Sequence, residues 1–161
     1  MMVEKIKIRP ALAEDYGAYC ALVDEVDALH TRNEPRDFQY PGAPPRKREF
    51  YESLLAASDK DVLLAEVDGV IAAYPHLETR KVEGPGILVP QSYCYVSDIV
   101  VAGPFQRRGL GRAMMAHAEN WAKQHGLDQI RLNVRAFNTS AIRFYESLGM
   151  KAAAHTMLKR L

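Results

Sequence analysis

Residues 96–122, "VSDIVVAGPFQRRGLGRAMMAHAENWA", run from an apolar segment through a glycine-containing turn into a helical pattern. The segment 92–101 that leads into the turn is rich in aromatic and β-branched residues, which is typical of a central strand. After the turn, apolar residues recur at intervals of three and four from Leu110, which predicts an amphipathic helix that ends near Gly126. A buried strand, a turn and a helix therefore form the unit around which the rest of the fold is predicted.

The turn from Gln106 to Gly111 has the features of an anion site. The first backbone N–H groups of a helix have no partner within the helix, and the positive end of the helix dipole lies behind them. Gly109 and Gly111 lack the Cβ atoms that would hold a ligand away from the backbone. Three nearby arginines could neutralise a polyphosphate: Arg107, Arg108 and Arg112.

Two common phosphate-binding motifs do not fit this turn. A dinucleotide-binding turn would have a third glycine where Met114 stands, and a nucleoside triphosphate loop would have Gly-Lys-Ser/Thr, which is absent. A solvated turn that only caps the helix remains the structural alternative.

The remaining patterns predict one domain over residues 1–161 with the element order β α α β β β α β α β. The strands of the central hairpin flank Asp68-Gly69, a pair suited to a tight turn. A proline-rich loop near residues 31–45 could cover a site. The other predicted elements are a strand at 4–10, helices at 16–30 and 45–58, strands at 61–67, 70–80 and 129–136, a helix at 139–149 and a final strand at 151–161.

The composition restricts the function. With 21 basic and 20 acidic residues and a formal net charge of +1, nothing marks the chain as a nucleic-acid binder. We expect no membrane span, no leader segment and a cytoplasmic location, because no apolar run is long enough. Cys20 and Cys94 are expected to be buried free thiols, and the five dispersed histidines predict no metal site.

Two motifs together resemble the Gcn5-related N-acetyltransferase (GNAT) family. Gln106, Gly109 and Gly111 fill the family pattern Gln/Arg-x-x-Gly-x-Gly/Ala between a strand and a helix. Asn138 and Tyr145 fill a second family element in "NTSAIRFYESLGM". The resemblance implies an α+β (three-layer) fold with a mixed, mostly antiparallel central sheet, helices on both faces and a splayed acetyl-CoA groove.

The same resemblance implies acetyl-CoA as the co-substrate. The glycine turn would hold its pyrophosphate through Gln106, Arg107, Arg108, Gly109, Leu110, Gly111 and Arg112. The backbone of Ile99, Val100 and Val101 would pair with the pantetheine arm as an added strand does. Asn138 would bind near that arm or, alternatively, cap the helix that follows it.

Acyl transfer needs a deprotonated acceptor and a stabilised leaving thiolate. Asp98 is the candidate base and would act through water. One acidic position that is common in the family falls on Ser97 here. As an alternative, Asp98 would only accept hydrogen bonds from the backbone. Tyr145 matches the family's tyrosine that contacts the departing sulfur, and its alternative is a core aromatic residue. A covalent role for Cys94 is the least favoured route.

The implied acceptor is a primary amine of a small molecule or of a protein lysine or N-terminus. An acidic run at residues 24–27 could attract it, but such a run is more often a solvated helix face. A catalytically silent acetyl-CoA-binding module is the alternative function, and a homodimer is possible. The candidate acceptor contacts are His30, Glu34, Tyr40, Tyr93 and Tyr95.

Overall fold

The computed structural model describes residues 5–161, so Glu4 of the predicted first strand lies outside the described residues. Within this range, the five strands are β1 (Ile6–Pro10), β2 (Lys60–Val67), β3 (Val70–Val82), β4 (Gln91–Val101) and β5 (Ile130–Leu132). The four α-helices are α1 (Tyr16–Asn33), α2 (Arg48–Ala56), α3 (Leu110–Gln124) and α4 (Thr139–Ser147). Short 3-10 turns precede α1 and follow β4.

The strands form one mixed sheet in the order β1-β2-β3-β4-β5. The first four strands are antiparallel, and β5 runs parallel to its neighbour β4. The β2–β3 hairpin turns at Asp68 (φ 49°) and Gly69 (φ 82°), which confirms the predicted tight turn. The mixed, mostly antiparallel sheet implied by the sequence is therefore confirmed.

Helices cover both faces of the sheet, as expected. On one face, Tyr19 of α1 and Tyr51 of α2 pack with Leu64 and Tyr74 of the sheet. On the other face, α3 buries Met115 and Trp121 against the sheet, with α4 side chains packed beside them. The alternation of side chains along β4 serves both cores, because successive residues point to opposite faces.

The structural feature that positions the site is an irregularity in β4. His76 of β3 pairs with Asp98, whereas Leu77 pairs with Val96, so Ser97 is an extra residue that forms a β-bulge. β5 pairs only with residues 94–96 of β4. β5 ends at Leu132, which pairs with Val96, so residues 97–101 of β4 have no strand partner on that side in the described part of the chain; this unpaired side is here called the gap.

The predicted final strand at 151–161 is wrong, because this segment is in no helix or strand and all eleven residues are exposed. Strand preference stabilises a segment only when a neighbouring strand completes its hydrogen bonds. β5 is also shorter than predicted. Helix α2 begins at Arg48 rather than near Pro45 because Lys47 is still extended (φ −66°, ψ 150°).

Candidate active site

The open edge of β4 presents backbone groups to the gap between β4 and β5. The N–H of Ala102 donates to Ala72 of β3 at 2.8 Å. Since alternate residues of a strand direct their backbone groups to opposite edges, Val100 also faces β3, whereas Ile99 and Val101 face the gap. Of the three residues expected to pair with a pantetheine arm, Ile99 and Val101 thus have their polar backbone atoms directed toward it.

The gap ends at the N-terminus of α3. The first intrahelical hydrogen bond runs from Ala113 N–H to Gly109 C=O at 3.0 Å, and no side chain of the described residues caps the helix. The N–H groups of Leu110, Gly111 and Arg112 consequently have no intrahelical acceptor. The Leu110 side chain itself is buried in the core, so only its backbone can contribute to an anion site.

The two glycines of the turn are needed for different reasons. Gly109 has φ +86°, a left-handed conformation that favours glycine, and a Cβ built there meets nothing within 4 Å. A Cβ at Gly111 would lie 3.2 Å from Cζ of Phe144 on α4. Glycine at position 111 thus also permits close packing of α4 against α3, in addition to its predicted role in the anion site.

The polar side chains of the turn are exposed. Gln106 donates from Nε2 to the carbonyl of Val101 at 3.1 Å, which braces the end of β4 against the turn. Arg107 has a positive φ of 65°, and the Arg108 guanidinium lies 5.3 Å from the centre of the Phe105 ring. Arg107, Arg108 and Arg112 all lie at the solvent side of the helix N-terminus, so their charges surround its free N–H groups.

Asn138 caps α4. Its Oδ1 accepts a hydrogen bond from Ala141 N–H at 3.1 Å, which is the helix-capping role considered from the sequence. The cap fixes the start of the helix that carries Phe144 and Tyr145. The side-chain NH2 group of Asn138 makes no hydrogen bond among the described residues and could still donate to a ligand.

Asp98 lies directly after the bulge, on the face of the sheet covered by α1. It is half-buried, and desolvation raises the pKa of its carboxyl to about 6, while the positive charge of Arg46 opposes that rise. Such a carboxyl is mostly ionised at neutral pH but has more affinity for a proton than an exposed aspartate has. A weakly basic, half-buried carboxylate is suited to accept a proton.

Several polar groups lie near Asp98, and of these the sequence did not single out Tyr19, Tyr74 or His76 as site residues. The charge of Asp98 raises the pKa of three tyrosines in addition to the larger effect of burial: Tyr19, Tyr74 and Tyr145. The Tyr74 hydroxyl is fully buried and has no hydrogen-bond partner within residues 5–161, and neither have Nε2 of His76 and Oγ of Ser97 at the bulge. Three buried polar atoms near the candidate base therefore have no protein partner in the described residues.

An ion pair contributes to the electrostatic environment of Asp98. Arg46, at the end of the loop between α1 and α2, binds Asp27 of α1 through two contacts of 2.7 and 3.1 Å. Glu25 accepts a hydrogen bond from Gly103 N–H at 2.9 Å, and Oδ1 of Asp24 is buried. Glu25 is exposed, as expected of a solvated face, whereas Asp24 and Asp27 are half-buried. Asp27 joins α1 to the loop, and Glu25 joins it to the turn after β4. Isolated sequence patterns could not reveal Arg46, whose partner is 19 residues away.

The candidate acceptor contacts are distributed over a wider region. His30 packs against Phe38 and Phe137, with ring centres 4.9 and 5.7 Å away, and Glu34 binds Arg135 at 2.5 Å. Tyr40 is exposed. Tyr93 and Tyr95 lie in the first half of β4. The guanidinium group of Arg131 lies over the Tyr93 ring, and that of Arg80 lies over the Tyr95 ring. Of these five candidates, only His30 also contributes to the electrostatic environment of Asp98.

Tyr145 of α4 packs against the core that α3 forms on the sheet face opposite to α1. Burial is the main cause that raises the pKa of its phenol to about 12, and the Asp98 charge adds to it. The hydroxyl therefore stays protonated and can donate a hydrogen bond. It makes no hydrogen bond in the chain from residue 5 onward, so it is available to a ligand in the gap.

Both cysteines are buried and free, as expected. Burial raises the pKa of the Cys94 thiol to about 11, which leaves little thiolate for nucleophilic attack. Within residues 5–161, no three potential metal ligands cluster together, and none of the helices is sufficiently long and apolar to span a membrane.

Comparisons with known proteins agree with this geometry. Residues 24–150 match the family model described as the acetyltransferase (GNAT) family. Phosphinothricin N-acetyltransferase of Streptomyces viridochromogenes is 28% identical over 151 residues, which cover 91% of this chain and 75% of the relative. The [ribosomal protein bS18]-alanine N-acetyltransferase of Escherichia coli K12 is 43% identical over 56 residues, 35% of this chain and 38% of that protein.

Solved structures show the same fold. A tetramutant of the BH1408 protein from Bacillus halodurans superposes with a TM-score of 0.91 at 26% identity, covering 96% of this chain and 99% of that one. The aminoglycoside N-acetyltransferase AAC(6')-Iy in complex with CoA has a TM-score of 0.75 at 18% identity, covering 99% and 97%. Since the family model spans most of the chain and the curated relatives are acyl-transferring enzymes, this chain belongs to the acetyltransferase (GNAT) family.

Proposed function

We propose that the protein transfers an acetyl group from acetyl-CoA directly to a primary amine. The observation that carries this proposal is that β5 ends opposite Val96 and leaves residues 97–101 of β4 without a strand partner on that side among the described residues. It leaves an open strand edge that leads from the free N–H groups of α3 to Asp98 and Tyr145. A pantetheine arm has amides that can pair with such an edge, and its pyrophosphate suits the helix N-terminus with its three arginines.

The protein's own residues then supply the proton transfers. An alkylammonium group with a pKa near 10.4 must lose a proton before it can attack. Asp98, with its raised pKa, accepts that proton directly or through water. The amine nitrogen bonds to the thioester carbon, the carbon–sulfur bond breaks, and the CoA sulfur leaves as a thiolate. The nitrogen loses its second proton to water, which leaves a neutral amide.

Tyr145 stabilises that thiolate by donating a hydrogen bond. A thiol with a pKa near 8.5 is a stronger acid than a phenol with a pKa of about 12, so complete proton transfer to sulfur would be uphill by roughly 5 kcal/mol. Donation without complete transfer avoids that cost. The same raised pKa ensures that the phenol carries its proton when the sulfur departs.

The acceptor is a cationic amine of a small molecule, a protein lysine or a protein N-terminus. Asp98, Asp27 and Arg46 together carry a formal charge of −1 when Asp98 is ionised, which favours an ammonium group near Asp98. The named relatives are N-acetyltransferases, which supports nitrogen as the acceptor atom. The exposed arginines are assigned to acetyl-CoA and not to nucleic acid.

The test is acetyl-CoA-dependent CoA release over a panel of amino acids, polyamines, aminoglycosides and peptides. Controls without acceptor measure hydrolysis, and the Asp98→Asn variant measures release that does not use the proposed base. We expect release with one class of amine. Acetyl-CoA binding without release for any acceptor would contradict the proposal and favour a silent binding module.

A further inference from the structure

The segment that joins β5 to α4 is here called the connecting segment (residues 133–138). It begins where β5 ends, beside the gap. Asn138 N–H donates to the carbonyl of Arg135 at 2.9 Å, which folds the segment back on itself. Thr139 N–H donates to the carbonyl of Phe137, also at 2.9 Å. A displacement of Arg135 would therefore be passed on to the first residues of α4.

The Arg135 side chain attaches this segment to the end of α1. Its Nε donates to Oε2 of Glu34 at 2.5 Å, and a terminal nitrogen donates to Oδ2 of Asp37 at 2.9 Å. Its Cζ lies 5.2 Å from the ring centre of Phe38. Glu34 directly follows the last residue of α1, and its N–H donates to the carbonyl of His30 at 2.8 Å. One guanidinium group thus contacts three residues at the end of α1 and in the loop after it.

A second contact joins the same two regions. The Phe137 ring lies edge-on to His30 with 5.7 Å between ring centres, and Phe38 packs against His30 at 4.9 Å. Burial raises the pKa of Asp98 to about 6, and His30 is one of the two groups whose positive charge opposes that rise. The connecting segment therefore packs against a group that affects the candidate base.

The other end of the segment leads to Tyr145. Asn138 caps α4 by accepting a hydrogen bond from Ala141 N–H at 3.1 Å. Helix α4 has only nine residues, so its position follows that of its cap, and Tyr145 belongs to this short helix. Arg135 is thus linked through one short segment both to the surroundings of the proposed base and to the hydroxyl proposed to stabilise the thiolate.

The ion pairs of Arg135 suit placement better than stability. Its side chain is 43% exposed, and those of Glu34 and Asp37 are 24% and 31% exposed. Ion pairs of such exposure contribute little to the free energy of unfolding, because water screens the charges. Asp37 has a second cation, Arg160, at 2.7 Å. Glu34 is therefore the better partner on which to test the role of Arg135.

We propose that Arg135 is a positioning residue for acetyl transfer, which sets the place of the Tyr145 hydroxyl relative to Asp98 by holding the connecting segment to the end of α1. This inference rests on the proposed function, since both groups act in the transfer step. Tyr145 has to meet the departing sulfur while Asp98 serves the amine on the same reacting carbon. A misplacement of about 1 Å can slow such a step about 100-fold.

Arg135→Gln tests this role in steady-state and single-turnover assays. We expect kcat to fall roughly 10- to 100-fold, while the acceptor KM and the acetyl-CoA Kd change by less than about threefold. Glu34→Gln removes the other side of the pair and should have the same effect, and the double variant should be no slower than either single variant. Arg143→Gln, which changes an exposed arginine of α4, is the matched control and should keep the wild-type rate.

A double-mutant cycle with Tyr145→Phe separates positioning from a general structural effect. In the Tyr145→Phe background, Arg135→Gln should lower kcat by less than about threefold, because no hydroxyl remains to be misplaced. An equal loss of kcat in both backgrounds would overturn the proposal, and so would a raised acceptor KM at constant kcat.

The same assays distinguish the failure of this role from the failure of the proposed function. If the wild type releases CoA with an acceptor and Arg135→Gln keeps the wild-type kcat, only the positioning role is overturned. A wild type that releases no CoA with any acceptor would overturn the proposed function, and the positioning role with it.

Discussion

Asp98→Asn should make the protein more stable while it makes the enzyme slower. Burial raises the pKa of Asp98 from 3.8 to about 6. A folded-state pKa above the unfolded one means that folding disfavours the ionised form, by about 3 kcal/mol for a shift of roughly 2 units. The penalty is complete at pH 7 and disappears as the pH falls below about 4. Asparagine is neutral at every pH, so it removes this penalty.

We therefore expect Asp98→Asn to raise the free energy of unfolding by up to about 3 kcal/mol at pH 7, with a smaller difference at each lower pH. Urea denaturation at several pH values measures this. Loss of the general base should lower the rate of acetyl transfer by roughly 10²- to 10⁴-fold. In the wild type, activity should fall as the pH drops through about 6, because protonated Asp98 cannot accept a proton. A variant that is less stable at pH 7, or as active as the wild type, would refute the reasoning.

Three further substitutions test separate parts of the site. Tyr145→Phe should slow single-turnover transfer by roughly 10- to 150-fold, which corresponds to the free energy of a hydrogen bond to a charged group. An unchanged rate would show that the hydroxyl takes no part in the mechanism. Gly109→Ala should destabilise the fold by about 1–2 kcal/mol, because its φ is +86°. Gly17→Ala, a helical position where a Cβ meets nothing within 4 Å, is the matched control and should be neutral or stabilising in urea denaturation. Arg46→Gln removes the charge that opposes the rise in the Asp98 pKa, so the acidic limb of the pH–rate profile should move upward. A downward shift would contradict the assigned electrostatics. The groups that face Asp98 come from four parts of the chain. They are Tyr19, Asp27 and His30 of α1, Arg46 of the loop between α1 and α2, Tyr74 and His76 of β3, and Tyr145 of α4.

The central part of the fold was predictable because its signals are local. The β-rich segment before Gln106, the glycine turn and the periodic helix after it all lie within residues 91–124, and the structure confirms each of them. The β2–β3 turn at Asp68 and Gly69 is equally local. In these regions, backbone preference and hydrophobic period agree, which makes the prediction robust.

The rest depends on contacts between distant residues. The Asp27–Arg46 pair and the unpartnered Tyr74 hydroxyl are placed by the packing of α1 and its loop on the sheet. The contact between Gly111 and Phe144 could not be predicted because Phe144 comes from another helix. Residues 151–161 have the sequence of a strand, but whether they form one depends on a partner edge.

The most direct test of the central claim is to quantify CoA and N-acetylated product together for the best acceptor of the panel. Mass spectrometry would measure the product, and Asp98→Asn and Tyr145→Phe would be assayed beside the wild type. The account predicts one acetylated amine for each CoA released, with both variants slower but still able to bind acetyl-CoA. CoA release that does not depend on the acceptor, or variants with wild-type rates, would contradict it.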